Sequence, residues 1–384
     1  MRFLSEHCAV NPSRVSRTAQ SWNAIATIIE TMTSGIVAFA AKPGAPVKSF
    51  PVSLLDLTVV DSGSSGPQAL HNTIEVAKAA ERLGYHRIWL AEHHNTTGIA
   101  SPAPELMLAV LARETGQIRI GSGGIMLPNH SPLKVAEVFR VIEALAPGRV
   151  DLGIGRAPGT DTMTALALRR SREALAADDF PEQIAELRGY NTLTEADHPF
   201  MRIKASPADV PLPPIWILGS SDFGARLAAA NGFPFSFAAH INMKMAVPAL
   251  QFYREQYQPS PQHPNPEAML ALSIITAESE EQIEILKKSS ELSWIRLITN
   301  QHGPMPSPDE AMAYEFSELE NAKLADVRAR RIAGLPHQVK ERVLELVEAT
   351  SADELMLSFM VWGHENRLKS LALMAEQFGL QPRS

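Results

Sequence analysis

The 384-residue chain is predicted to fold as an α/β protein, a (β/α)8 TIM barrel with insertions. Short apolar runs alternate along it with helical patterns, the signature of βα units around a parallel sheet. Eight such runs can be read, the number that closes a barrel. The length also fits, since a barrel with insertions occupies about 200 to 400 residues as one unit.

In order, the strand runs are SLLDLTVV from Ser53, RIWLAE from Arg87, IRIGSGGIM from Ile118 and RVDLGIG from Arg149, then PIWILG from Pro214, FSFAA from Phe235, MLALSIIT from Met269 and ELMLSFM from Glu354. Helical stretches separate them. In ALHNTIEVAKAAERLG, for example, Leu70, Ile74, Ala77, Ala80 and Leu83 recur at helical spacing and Gly84 supplies the stop. Two intervals, residues 171–213 and 299–333, are too long for plain connections and read as insertions over the barrel mouth. Pro43, Gly44 and Pro46 mark a linker-like break, so residues 1–50 are expected to be a loosely docked extension and residues 51–384 the barrel domain.

Composition narrows the function. A formal net charge of -7 argues against a nucleic-acid or anionic-membrane surface and favours a small-molecule ligand. The apolar stretch from Ala24 to Ala41 is interrupted by Glu30 and diluted by threonine and serine below a membrane span. With Cys8 as its single cysteine, the chain can hold no internal disulfide framework or cysteine metal cluster, which fits a reducing cytoplasm.

Ligands of such barrels gather at the carboxyl ends of the strands, and there the polar motifs fall. The third strand ends in Gly123-Gly124, where backbone can approach a flat ligand. GIGRAPG, after the fourth strand, fails the dinucleotide fingerprint because Pro158 replaces its third glycine and three βα units precede it. Its Arg156 is suited to a bidentate contact with phosphate, or to a salt bridge with a nearby carboxylate. In ILGSSDFGARLAAANG the fifth strand passes through Gly219 into a helix whose start carries Ser220 and Ser221, either ordinary N-caps or a phosphate seat.

Glu92, His93 and His94 end the second strand. Alternation sends Glu92 and His94 to one face and His93 to the other, where a histidine can act as acid, base or hydrogen-bond donor. No H-x-H or H-E-x-x-H element completes a metal set, so no metal is expected. Asn129 and His130 lie on the same rim, and Phe223, Phe237, His240, Met243 and Trp294 are candidates for a pocket wall or for core.

The runs AEHHNTTGIASPAP, GSGGIMLPNHSPLKVAE, IEALAPGRVDLGIGRAPGTD and WILGSSDFGARLAA, in this order, strongly resemble the bacterial luciferase-like flavin-dependent monooxygenases, over about Pro51 to Glu376. The resemblance implies a barrel that binds reduced FMN and uses molecular oxygen to oxygenate a small organic substrate such as an aldehyde. It makes His93 the active-site histidine, matches Gly123-Gly124 to a strand bulge where the family often has a non-proline cis peptide against the flavin ring, and assigns Arg156, Ser220 and Ser221 to the phosphate. It also implies a homodimer, and the lack of a nicotinamide fingerprint implies reduced flavin supplied by a separate reductase or by diffusion. The alternatives are a deazaflavin-dependent hydride-transfer oxidoreductase and a non-catalytic flavin-binding protein.

Overall fold

The computed structural model describes residues 50–190, 200 and 202–382. The expected extension at residues 1–50 therefore lies outside the described residues, except Phe50. The rest is a closed parallel barrel. Its strands are β1 (Val52–Asp56), β2 (Arg87–Leu90), β3 (Arg119–Ser122) continued by β4 (Ile125–Met126), β5 (Val150–Gly155), β6 (Ile215–Gly219), β7 (Phe235–Ala238), β8 (Ala268–Ile275) and β10 (Glu354–Ser358). Each pairs in parallel with the next, and β10 pairs with both β8 and β1, which leaves the barrel without an edge. A stub, β9 (Ile332–Ala333), adds to the end of β8.

All eight strand runs of the sequence are present, with two differences of detail. The first stops at Asp56 because Thr58 takes a φ of +55° and turns the chain. The third is split at Gly123-Gly124, whose peptide bond is cis.

The helices follow their local signals. The first, α1 (Gly66–Leu83), is capped by the Ser65 hydroxyl, which accepts from Gln68 N, and ends at Gly84 with φ +88°. A side chain at Gly84 would also collide with the Gln381 carbonyl. Next come α2 (Pro104–Glu114) and α3 (Pro132–Leu145), each opening on proline, whose missing N–H costs nothing there.

The two long intervals do different things. Just ahead of the first lies α4 (Thr162–Arg169), and within the interval itself α5 (Arg172–Ala176) leads to α6 (Phe180–Gly189), which buries Phe180, Ile184 and Leu187 in the core on the barrel's flank. There Arg140 of α3 donates to the Tyr190 and Ala205 carbonyls at 2.7 and 2.5 Å. From Phe180 onward, the described residues of this interval are thus flank rather than mouth. After α7 (Asp222–Asn231) and α8 (Ala246–Glu255), the chain makes its true excursion over the mouth. It begins earlier than residue 299, because α9 (Glu280–Ile298) is not a barrel-ring helix. It packs on α10 (Pro308–Ala313) and α11 (Glu318–Arg330), and the ring position after β8 is filled by α12 (Pro336–Thr350), which contacts α8 and α13 (His364–Phe378).

Inside the barrel, strand alternation makes layers. The bottom layer is ionic. Arg87 donates to both oxygens of Glu354 at 2.7 and 2.8 Å and to Asp151 Oδ2 at 2.8 Å, while Arg119 reaches Asp151 Oδ1 at 2.5 Å and Ser53 donates to Glu354. Burial opposes the Arg87 charge, but Asp151 and Glu354 more than offset it, so its proton is held more firmly than usual. Above lies an apolar layer built on Leu55, Trp89, Trp216, Met269 and Met356, with the two indoles edge-to-face at 5.5 Å. Gly121 exists to admit Trp89, since a Cβ there would sit 2.6 Å from the indole nitrogen. The barrel is thus sealed below, which leaves its upper end for a candidate site.

Candidate active site

At the end of β2, Trp89 and Ala91 face the barrel interior while Ile88 and Leu90 face the helices. Continuing that alternation sends Glu92 outward and His93 inward. Glu92 is fully buried and organises the rim. It accepts from Met126 N at 2.8 Å and from Asn129 Nδ2 at 3.2 Å, and the Nε2 atoms of His94 and His130 lie 2.8 and 3.0 Å from it. Burial pushes the Glu92 carboxyl up, yet His130, His94 and the Met126 amide together pull it below its ordinary value, and Glu92 in return raises His130 against the effect of burial. Asn129 and His130 are therefore held in place by Glu92. They tie the loop after the third strand to the second, and Asn129 also donates to the Pro158 carbonyl at 3.0 Å.

His93 is left out of that network. Its Nδ1 is buried without a hydrogen-bond partner, and burial is the main cause that holds the ring below the usual histidine pKa. It lies within electrostatic reach of His240, at the end of β7, whose ring is pushed down to about 4 by burial first, helped by Arg330 and His93. Two neutral imidazoles therefore sit at the barrel mouth near neutral pH.

The sequence-selected anion contacts also meet. Arg156, just past β5, lies over the Phe223 ring at 3.8 Å, and Phe223 is in the first turn of α7. The nearest ion-pair partner, Asp178, is 3.9 Å away and highly exposed, so that pairing is weak. Ser221 occupies the N-cap position of α7 without capping it, which leaves the first-turn amides without a side-chain acceptor from that residue. Ser220 is fixed by Asn242, which donates to its carbonyl at 3.1 Å.

The glycines have packing duties. A Cβ on Gly219 would crowd Gly224 and Phe235, so it lets the end of β6 lie close against α7. One on Gly123 would lie 2.8 Å from Leu55 and 2.9 Å from Trp89, and one on Gly124 2.8 Å from the Gly153 carbonyl.

A cavity of about 260 Å³ opens between the strand ends and the excursion. His240 and Trp294 line it, as the sequence suggested, together with Arg330 and Arg331. His93, Gly123, Gly124, Arg156, Gly219, Ser220 and Ser221 are not among its lining residues. The other wall candidates are elsewhere: Phe237 is fully buried beside Phe235, Phe223 lies beneath Arg156, and Met243 packs on the core. Among the described residues, no group of three histidine, cysteine or acidic side chains is placed to hold a metal, and no helix is long and apolar enough to cross a membrane.

Known proteins share this sequence pattern and fold. A family model described as luciferase-like monooxygenase matches residues 50–354. A luciferase-like monooxygenase of Escherichia coli strain K12 is 39% identical over 326 residues, covering 85% of this chain and 96% of its own. The N-acetyl-S-alkylcysteine monooxygenase of Bacillus subtilis is 34% identical over 297 residues, 77% of this chain and 88% of its own. Among solved structures, apo-MsnO8 superposes with a TM-score of 0.81 at 33% identity, covering 88% of this chain and 100% of that one. By sequence and fold, the chain belongs to the luciferase-like monooxygenase family.

Proposed function

We propose that this protein is a flavin-dependent monooxygenase that uses reduced FMN and molecular oxygen to oxygenate a small organic substrate, its reduced flavin coming from a separate reductase or by diffusion. The observation that carries the reading is Arg156, whose ion pair with the exposed Asp178 is weak at 3.9 Å, stacked against the start of α7 that Ser221 leaves uncapped. A guanidinium beside free helix amides suits a phosphate monoester. In this reading Arg156, Ser220 and Ser221 hold the phosphate at Gly219, and the flavin ring rests on the bare Gly123-Gly124 backbone. FMN, when bound, supplies the oxygen chemistry.

The chain's own residues supply placement and proton control. His93 and His240 are held neutral by burial and can each accept a proton, and His93 has an unused buried nitrogen to offer a ligand. The excursion lies over the mouth, where it would shield bound flavin and substrate from bulk water.

Arg156→Ala should weaken FMN binding by about 1.5 to 3 kcal/mol, the worth of a charge-assisted hydrogen bond. Flavin-fluorescence titration checks this, and an unchanged dissociation constant removes Arg156 from the phosphate site. Preferential binding of a deazaflavin, or FMN binding without substrate-dependent oxygen uptake, would replace the monooxygenase reading.

A cytoplasmic homodimer completes the proposal. The adjacent helices α2 and α3 expose Leu106 at 69%, Leu145 at 50%, Val141 at 49% and Val110 at 40%, large apolar side chains that a protein interface would cover. The double variant Leu106→Glu/Leu145→Glu should sediment as a monomer. If the unaltered protein is itself monomeric at micromolar concentration, this assignment fails.

A further inference from the structure

The cavity at the mouth is charged on one side in a way the proposed chemistry does not use. Arg331 lines it, and its Nη1 is sealed from solvent with no hydrogen-bond partner. A buried guanidinium nitrogen left unpaired is costly, because it has given up water for nothing.

Its neighbours are already committed. Glu291, the carboxylate that acts on Arg331, gives both oxygens to Arg328 at 2.8 and 2.7 Å. Arg330 is turned to backbone, donating to the Ile241 carbonyl at 2.9 Å and that of His240 at 3.3 Å, with Asp326 3.7 Å away and Trp294 beneath it. Burial is the main cause that pushes Arg331 down to about 10, which still leaves it charged at neutral pH. Of these arginines, it is Arg331 that lines the cavity with a guanidinium nitrogen left unpaired.

Strand register provides the second half of the site. Ile332 of β9 pairs with Ile274 of β8, so Arg331, one residue earlier, is level with Ser273, and Ser273 is itself paired with Ser358 of β10. All three line the cavity. The Ser358 hydroxyl is likewise buried without a partner. A forked donor just before β9 and hydroxyl donors on β8 and β10 thus stand level with one another, in a cavity whose lining also includes Ile99, Trp294, Leu297 and Met360.

We propose that this row binds the carboxylate of the organic substrate, so that the protein acts on small carboxylic acids with a compact apolar body rather than on neutral aldehydes or alcohols. Arg331 takes the carboxylate oxygens through its fork, Ser358 and Ser273 donate to them, and the apolar wall receives the rest of the molecule. As a substrate class it rests on the monooxygenase reading, but the binding site does not, because no flavin contact enters it.

Calorimetric titration of the full chain with hexanoate and with hexan-1-ol at neutral pH, with and without saturating FMN, tests it. Hexanoate should bind at least about tenfold more tightly than the alcohol, and Arg331→Met should weaken hexanoate about 10- to 100-fold, the loss of one charge-assisted pair, while leaving the alcohol unchanged. Unchanged alcohol binding also shows that the variant is folded. Should that variant fail to fold, Arg331→Lys, which keeps the charge and loses the fork, and Ser358→Ala should each weaken hexanoate selectively. Equal affinity for acid and alcohol, or variants that bind hexanoate normally, would overturn the proposal. So would a fall in FMN affinity in Arg331→Met together with displacement of hexanoate by inorganic phosphate, since the row would then hold the nucleotide. Failure of the unaltered chain to bind FMN would sink the flavin reading alone.

Discussion

His93→Ala is expected to lower oxygen-dependent turnover by about 10²- to 10⁴-fold, the range of a positioned acid or base, with FMN affinity nearly unchanged. The separation follows from position. His93 stands at the axis end of the second strand with a buried, unpartnered Nδ1, whereas the proposed phosphate contacts follow the fourth and fifth strands. The sign of its pH dependence is also fixed. Burial, opposed by Glu92 and assisted by His94, holds His93 below its usual pKa, so the neutral ring persists through neutral pH and is lost as pH falls through that lowered value. Turnover should therefore decline on acidification, and His93→Ala should remove that limb of the profile. Stopped-flow oxygen consumption across pH checks both. An unaltered rate would take His93 out of the chemistry, and a large loss of flavin affinity would recast it as a binding residue.

Arg87→Met is expected to destabilise the barrel by about 3 to 5 kcal/mol, the cost of removing one partner from a buried ion pair. Asp151 and Glu354 are almost fully buried, and methionine fills the space without neutralising either. Arg119 continues to balance Asp151, so Glu354 carries most of the loss, and burial already pushes its carboxyl upward. Adding Glu354→Gln to Arg87→Met should recover part of the stability, because no isolated charge then remains beside Ser53. Urea unfolding followed by circular dichroism measures this. A single variant within about 1 kcal/mol of the parent would show that water or a rearranged Arg119 satisfies the carboxylates.

The strand order was legible because each strand is a short apolar run bounded by turn residues, and a run of that kind has few other uses in a chain of this composition. Motifs confined to one strand end were legible for the same reason. The opposite facing of Glu92 and His93 follows from the period of a strand alone. Helix α9 misled, since its buried stripe suits a ring helix as well as one folded over the mouth. Whether Ser221 caps its helix, and whether Arg156 finds a carboxylate, could not be read from types and spacing, because N-caps and anion sites use the same residues.

Taken alone, the chain's order of residues determined a closed parallel barrel, its upper rim as the site of function, and the short-range motifs that the rim carries. Tertiary structure alone decided which charges are satisfied. Arg87 and Glu354 lie 267 positions apart and meet only when the barrel closes, Glu92 gathers partners from the ends of two strands, and Arg331 Nη1 is left unpaired while Glu291 gives both oxygens to Arg328. Pairing inside a folded chain depends on distance and desolvation, and neither is written in the identity or spacing of the residues themselves.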